Sequence, residues 1–289
     1  MATLRDVLNK ISAIKKTRQI TKAMNMVAAA KLRSAQGRME SFKPYASKFS
    51  EVLNHLSSLI ESDTHPLLGK KQEIKKIELL HFSADRGLCG SFNVNSINSA
   101  EKWIKNLKSE GIESRLITVG KKGSKYFSKH NYDILNSYND LYGKVDISFA
   151  NKITKGLVDR YLADEVDEVY MMYSRFISVV QQEPTFVQLI PIVPPEEEQK
   201  ESGFSEYLCE PDAQELLVEL LPKHISVQIF DAFLQNETSE HAARMASMEN
   251  ASKNCDDLIE HLTLMYNKAR QAAITAELMD IVGGAEALK

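Results

Sequence analysis

The 289 residues contain three cysteines, one tryptophan and eight prolines, and their prolines avoid both ends of the chain. Cys89, Cys209 and Cys255 are odd in number and far apart, which argues against a disulfide framework and for a reducing compartment. No apolar run approaches the ~18 residues of a membrane-spanning helix. The start, Met-Ala-Thr-Leu-Arg-Asp, goes straight into a periodic pattern with no apolar stretch of signal-peptide type, so a soluble or peripheral protein is expected. Also missing are a CxxC pair, histidines at zinc spacing and a Gly-x-Ser-x-Gly elbow. Catalysis by this chain alone is therefore not expected, and no cofactor or metal is assigned.

The absence of proline after Pro222, and of glycine between there and Gly283, leaves some 60 residues with nothing to break a helix. Along them Met248, Ala251, Cys255, Leu258, Leu262, Met265, Ala269, Ala272, Ala276 and Met279 recur at alternating steps of three and four. That period of ~3.5 residues keeps one seam of a helix against a partner helix. The matching half is sought at the other end of the chain. From Met1 to Lys43 there is no proline and one glycine, Gly37. Leu4, Val7 or Leu8, Ile11 and Ile14 begin a stripe that Ile20, Met24, Val27 and Lys31 continue. His241 and His261 fall outside the expected seam and read as surface residues.

The middle of the chain has a different rhythm. Strand-like runs at Ile74 to Phe82, Arg115 to Val119, Tyr132 to Leu135 and Val166 to Tyr173 alternate with helix-like runs at Val94 to Lys108, Lys121 to His130 and Ile147 to Leu162. This order predicts an α/β sheet with helices on its faces. Phe176 to Val180 and Phe186 to Ile190, around Gln181 to Pro184, predict an added hairpin. Pro191 to Glu201 reads as a closing loop. The expected fold class is α/β with long helices: an antiparallel coiled coil of N- and C-terminal helices plus an inserted Rossmann-like α/β domain. Expected boundaries are 1–60 for the first helix, 74–195 for the central domain and 211–289 for the last helix.

Charge is uneven. Residues 1 to 48 hold eleven Lys or Arg against Asp6 and Glu40, a net of +9, while the whole chain sums to −3. A basic helix in an otherwise acidic protein points to an acidic partner surface or to nucleic acid. Carboxylates such as Glu196 to Glu198 read as solvated loop acids. Asp85 to Gly90 and Gly120 to Gly123 sit where phosphate loops sit but match neither the dinucleotide fingerprint nor a P-loop, and both read as tight turns. Off the seam, Ile274, Leu278, Ile281 and Val282 make the end of the last helix apolar on more than one side, which marks a binding surface.

Several segments in order resemble one family, the γ subunits of rotary F-type ATP synthases, in their bacterial form. The residues are Ile274-Thr275-Ala276-Glu277 with Asp280, Gly284 and Ala285; Tyr266 to Gln271; Glu240 to Met245; Ile20 to Met24 with Met26 to Ala29; Asp85 to Gly90; and Tyr207-Leu208 with Glu210-Pro211-Asp212. The resemblance implies a non-catalytic central-stalk rotor that couples transmembrane proton flow to conformational cycling of the catalytic β subunits. Its implied partners are the α3β3 hexamer of F1, the ε subunit and the c ring of Fo, with no nucleic acid. Its implied location is the cytoplasmic face of the bacterial inner membrane, reached only through Fo. By position, Met24 and Arg244 are expected near the acidic lever of β. Arg270, Gln271, Thr275 and Glu277 are expected in a polar catch against β, and Tyr207 and Glu210 at the foot. The cysteine pair of the chloroplast redox switch is missing, so thiol control is not expected. Two other readings are carried: a nucleic-acid-binding coiled coil with an α/β domain, and an α/β enzyme with a ligand behind Gly87 or Gly120.

Overall fold

The computed structural model describes residues 4–58, 65–69, 71, 73–141, 143, 146–192 and 212–286. The chain divides into two compact units. One is made of residues 1–29 and 244–289, and the other of residues 30–243.

The first unit is a pair of helices. Helix α1 spans Leu4–Ser58 and helix α5 spans Ala213–Glu286, so each contributes one end here. Three contacts fix their direction and register. The Thr21 and Ser252 hydroxyls lie 2.8 Å apart, Asn25 Nδ2 donates to the Met245 carbonyl at 2.8 Å, and Arg18 pairs with Asp256 at 2.9 Å. Numbers fall along one helix as they rise along the other, so the pair is antiparallel, as expected.

The seam differs from the expected one in its polar members. On α1 two rows at heptad spacing contain no exposed residue: Leu4, Ile11, Arg18, Asn25, Leu32, Met39, Ala46 and Leu53, and Val7, Ile14, Thr21, Ala28, Ala35, Phe42, Phe49 and Leu56. The expected Ile20, Val27 and Lys31 are exposed. Apolar periodicity misled because the inward positions near residues 18–25 are polar and find partners across the pair, which removes the cost of enclosing them. On α5 the row Met248, Cys255, Leu262 faces inward as expected, with Ala251 half-buried. The second inward row is Ser252, Ile259, Tyr266 and Ala273, whereas Leu258, Met265, Ala272 and Met279 are exposed. The partner lies on the other side of the first row from the one the apolar pattern favoured.

Both helices outrun their proline-free stretches. Pro44 lies inside α1 and Pro222 inside α5. Pro44 and Glu40, whose carbonyl loses its helical donor, are both exposed, a position where the lost bond costs least.

The second unit is built on a five-stranded sheet. Its elements are β1 (Lys76–Phe82), α2 (Phe92–Ser109), β2 (Glu113–Val119), α3 (Lys121–Lys129), β3 (Ile134–Tyr138), α4 (Ile147–Leu162), β4 (Glu168–Phe176) and β5 (Gln182–Ile190). Strand order is β3-β2-β1-β4-β5, parallel except for β5, which runs antiparallel to β4. The predicted alternation of helix and strand is all present. The hairpin is shifted: Phe176 ends β4 instead of starting a strand, and Gln182 to Pro184 belong to β5. Proline is tolerated there because β5 is an edge strand.

Ile77 to Phe82 are all buried, as a parallel strand covered on both faces requires. Alternate residues serve opposite faces: Leu79 packs with Ile97, Ile104 and Phe127, and Leu80 and Phe82 pack with Leu157, Leu53 and Phe233. The second face therefore rests on α4, the end of α1 and the early turns of α5. Two polar residues of β1 find partners, Glu78 through both carboxylate oxygens and His81 through Nε2 alone, its buried Nδ1 being left without one. The Glu78 carboxylate accepts from Arg160 Nε at 2.6 Å and Nη2 at 2.8 Å, and His81 Nε2 lies 2.9 Å from Ser96 Oγ. Buried carboxylates were not foreseen from acids read as loop residues, and Glu78, Glu237 and Glu240 are all enclosed. His241, expected on the surface, is buried beside Glu237. Glu196 to Glu198 lie outside the described residues.

Candidate partner-binding surface

Arg18 pairs with Asp256, fourteen residues after Leu4, so the register brings the described start of α1 level with about residue 270 of α5. Beyond Ala273 no described residue of α1 faces α5. Residues Ile274 to Ala285 are exposed without exception, a single helix of about 20 Å at ~1.5 Å per residue. Ile274, Leu278, Met279, Ile281 and Val282 are 46–68% exposed there. Exposed apolar surface of this extent is the kind that marks a binding site.

At about 100° per residue, Ile274, Leu278 and Ile281 form one stripe. Arg270 and Glu277 flank it on one side, and Gln271 and Thr275 on the other. All four are exposed, and the Thr275 hydroxyl donates to the Gln271 carbonyl at 2.9 Å, which fixes its rotamer. The arrangement is an apolar strip between polar rails, able to seat against a hydrophobic collar and to form directional bonds at its edges.

Met24 and Arg244 come together as a second group. Each immediately precedes one partner of the Asn25–Met245 bond, so they stand at the same level on neighbouring helices, both half-buried. Along α5 this level is about 40 Å from Arg270. Tyr207 and Glu210 lie outside the described residues. One pair was missed: Ile20 and Val27 share a face of α1 and are 60% and 58% exposed. Ile20 and Val27 are seven residues apart, so they imitate a seam; the signal that could have identified them is the polar row Arg18, Thr21, Asn25 beside them.

The α/β unit carries no comparable surface at its expected ligand crevice. In sheets of this order the crevice opens at the carboxyl ends of β1 and β4, where the chain reverses the direction in which strands are added. Here α5 fills it. Asn236 Oδ1 accepts from the Ser174 N–H at 3.2 Å, and Ser239 Oγ donates to the Ser174 carbonyl at 2.9 Å. Ala243 packs on Ala84, Cys89 and Phe92. Gly120, at φ +98°, is pressed so close to Ser83 that a Cβ would stand 2.1 Å from the Ser83 carbonyl oxygen. Asp85 to Gly90 closes on itself: the Ala84 N–H donates to Asn93 Oδ1 at 2.9 Å, and the left-handed residues are Leu88 and Gly90, with Gly87 ordinary. The places behind Gly87 and Gly120 where the enzyme reading puts its ligand are occupied by the chain's own backbone and side chains.

Fold and surface together define a class: a helical-pair protein with an inserted α/β domain and an apolar surface left exposed at the end of its last helix. Comparison with known proteins agrees. The family model described as ATP synthase matches residues 3–288. The chain is 52% identical over 291 residues to an ATP synthase gamma chain of Maridesulfovibrio salexigens and 51% identical over 291 residues to that of Syntrophobacter fumaroxidans, with 100% of both chains covered in each case. Among solved structures, a chain of the Euglena gracilis mitochondrial ATP synthase OSCP/F1/c-ring assembly matches at TM-score 0.68 and 21% identity, over 99% of this chain and 94% of that one. A chain of the Tetrahymena thermophila central stalk and c ring matches at TM-score 0.61 and 23% identity, over 81% of this chain and 99% of that one. This chain belongs to the ATP synthase γ-chain family. That membership gives the nucleic-acid-binding reading no support. Among the described residues no helix is long and apolar enough to cross a membrane.

Proposed function

We propose that the chain is the central-stalk rotor subunit of an F1Fo ATP synthase, turning inside the α3β3 hexamer and coupling transmembrane proton flow to ATP synthesis or hydrolysis on β. In this reading the two helical segments, 1–60 and 211–289, form the shaft. Residues 74–195 form the footing, seated on the c ring beside ε at the cytoplasmic face of the bacterial inner membrane. The chain performs no chemistry itself. The observation that carries the reading is the overhanging end of α5, an apolar strip between polar rails in a chain of the γ family.

The physical requirements match the residues. A bearing has to turn against its sleeve, so its contact surface needs apolar groups with few fixed ion pairs, as Ile274, Leu278 and Ile281 provide. A catch needs a few directional groups, and Arg270, Gln271, Thr275 and Glu277 supply them. Met24 and Arg244, held level by the Asn25–Met245 bond, supply the contact to the acidic lever of β. Tyr207 and Glu210 would meet ε and the c ring.

The test is purification of the tagged full chain from membranes washed at low ionic strength. Recovery with α, β, ε and c supports the reading. Recovery alone, or with nucleic acid released by salt, contradicts it.

A further inference from the structure

Six consecutive residues of α5, Asn236 to His241, are polar or charged, and all are buried, none more than 7% exposed. Six residues at about 100° each go more than once around a helix, so α5 is enclosed here on every side. A helix buried all round is ordinarily apolar. Polar groups in such a place need a reason, and their partners suggest one.

Asn236 and Ser239 grip the main chain of β4 at a single residue. Ser174 lies beyond the last β1–β4 pair, His81 with Met172, and its cross-strand neighbour on β5 is Pro184, which has no N–H. Asn236 accepts from the Ser174 N–H and Ser239 donates to its carbonyl, so two side chains one turn apart take the part of a missing strand. On the other flank Glu237 accepts from Arg38 of α1 at 2.8 Å, and His241 lies 3.8 Å from the same carboxylate. Burial pushes the Glu237 carboxyl upward, but His241 and Arg38 outweigh it and hold the group below the usual range, so it is ionised. Helical phase sets the Asn236–Ser239 pair and the Glu237–His241 pair on opposed sides of α5.

We propose that this polar collar is a key: it fixes the rotational phase of α5 against the sheet and α1, and torque enters the helix through it. The inference rests on the rotor reading. Apolar packing such as Phe233 on Phe82 already resists rotation, and the collar adds directional bonds that have no equivalent in a slipped position. Side-chain atoms about 5 Å from the axis move by ~3 Å when a helix slips 30°, enough to break every hydrogen bond of the collar. Opposed bonds to two different elements resist slip in both senses, which suits a shaft that is driven one way in synthesis and the other in hydrolysis.

The test uses the whole complex in inverted membrane vesicles, reading ATP hydrolysis and ATP-driven ion uptake together. For Asn236→Leu with Ser239→Ala the expected result is hydrolysis within twofold of the parent and ion uptake per ATP reduced at least threefold. Asn236→Leu with Ser239 kept, which returns the donor to the Ser174 carbonyl without adding a buried charge, is expected to restore part of the ratio. An unchanged ratio in the first variant, or no rescue by the second, overturns the key. If the double variant does not assemble, Ser239→Ala alone, which removes one hydroxyl, is read in the same way, and an unchanged ratio there also overturns it. The rotor reading is judged separately on the parent: coupled uptake in vesicles stripped of this chain would sink that reading and leave the collar result irrelevant to it.

Discussion

Leu258 and Ile259 are neighbours on α5, and replacing each with aspartate separates two placements of the helical seam. Apolar spacing puts Leu258 on it; the structure turns Ile259 inward and leaves Leu258 51% exposed. Helix propensity is the same for aspartate at both sites and cancels in the comparison, and leucine and isoleucine differ little. Full burial of an isoleucine contributes about 1.5–3 kcal/mol, so a half-buried one contributes roughly 1 kcal/mol. An aspartate there adds the cost of a partly desolvated carboxylate with no cationic partner designed for it, for a total of about 2–3 kcal/mol. At position 258, where half of the leucine already faces water and the aspartate stays solvated, only that partial burial is lost, about 1 kcal/mol or less. Thermal unfolding of the full-length chain followed by far-ultraviolet circular dichroism is the assay. Ile259→Asp is expected to lower the midpoint by several degrees and Leu258→Asp by less than half as much. Equal shifts, or the larger one at Leu258, would refute the placement.

Other expected outcomes concern the α/β unit. Arg160→Met strands the buried Glu78 carboxylate and should destabilise the unit by about 3–5 kcal/mol, measured by urea titration. Gly120→Ala places a Cβ against the Ser83 carbonyl at a positive φ and should cost several kcal/mol, ~4 or more, seen as loss of folded yield. Burial lowers both His81 and His224 from 6.5 to about 4. The folded values lie below the unfolded one, so the unfolded chain binds more protons as pH falls below 6.5. Stability is then complete above pH 6.5 and declines down to about pH 4, by about 3 kcal/mol for each histidine. His224→Leu should remove about half of that slope in melts recorded across this window; an unchanged slope would count against the assignment.

What the sequence made legible was whatever is enforced by apolar period or by chain breakers. The strands of the sheet needed only continuous apolar runs such as Ile77 to Phe82. The two long helices needed only the absence of proline and glycine, although Pro44 and Pro222 concealed their true extent. Polar residues in enclosed places were not legible. Arg18, Thr21 and Asn25 occupy a seam that periodicity gave to Ile20 and Val27, and the buried run Asn236 to His241 looks in sequence like an exposed helix. Each is burial made tolerable by a partner distant in sequence, such as Ser252, Ser174 or Arg38, and a pattern read along one segment carries no record of that partner. The surface was legible in part for the same reason: apolar Ile274, Leu278 and Ile281 announce a partner wherever the fold leaves them, while the grouping of Met24 with Arg244 required the register of the pair.

The central claim is that this chain rotates as one driven shaft. A probe fixed to the exposed face of the α/β unit, with the α3β3 hexamer immobilised by its opposite end, tests it most directly. On adding ATP the probe should turn in one direction in regular steps for as long as hydrolysis lasts. Steady hydrolysis with a stationary or randomly wandering probe would contradict the account.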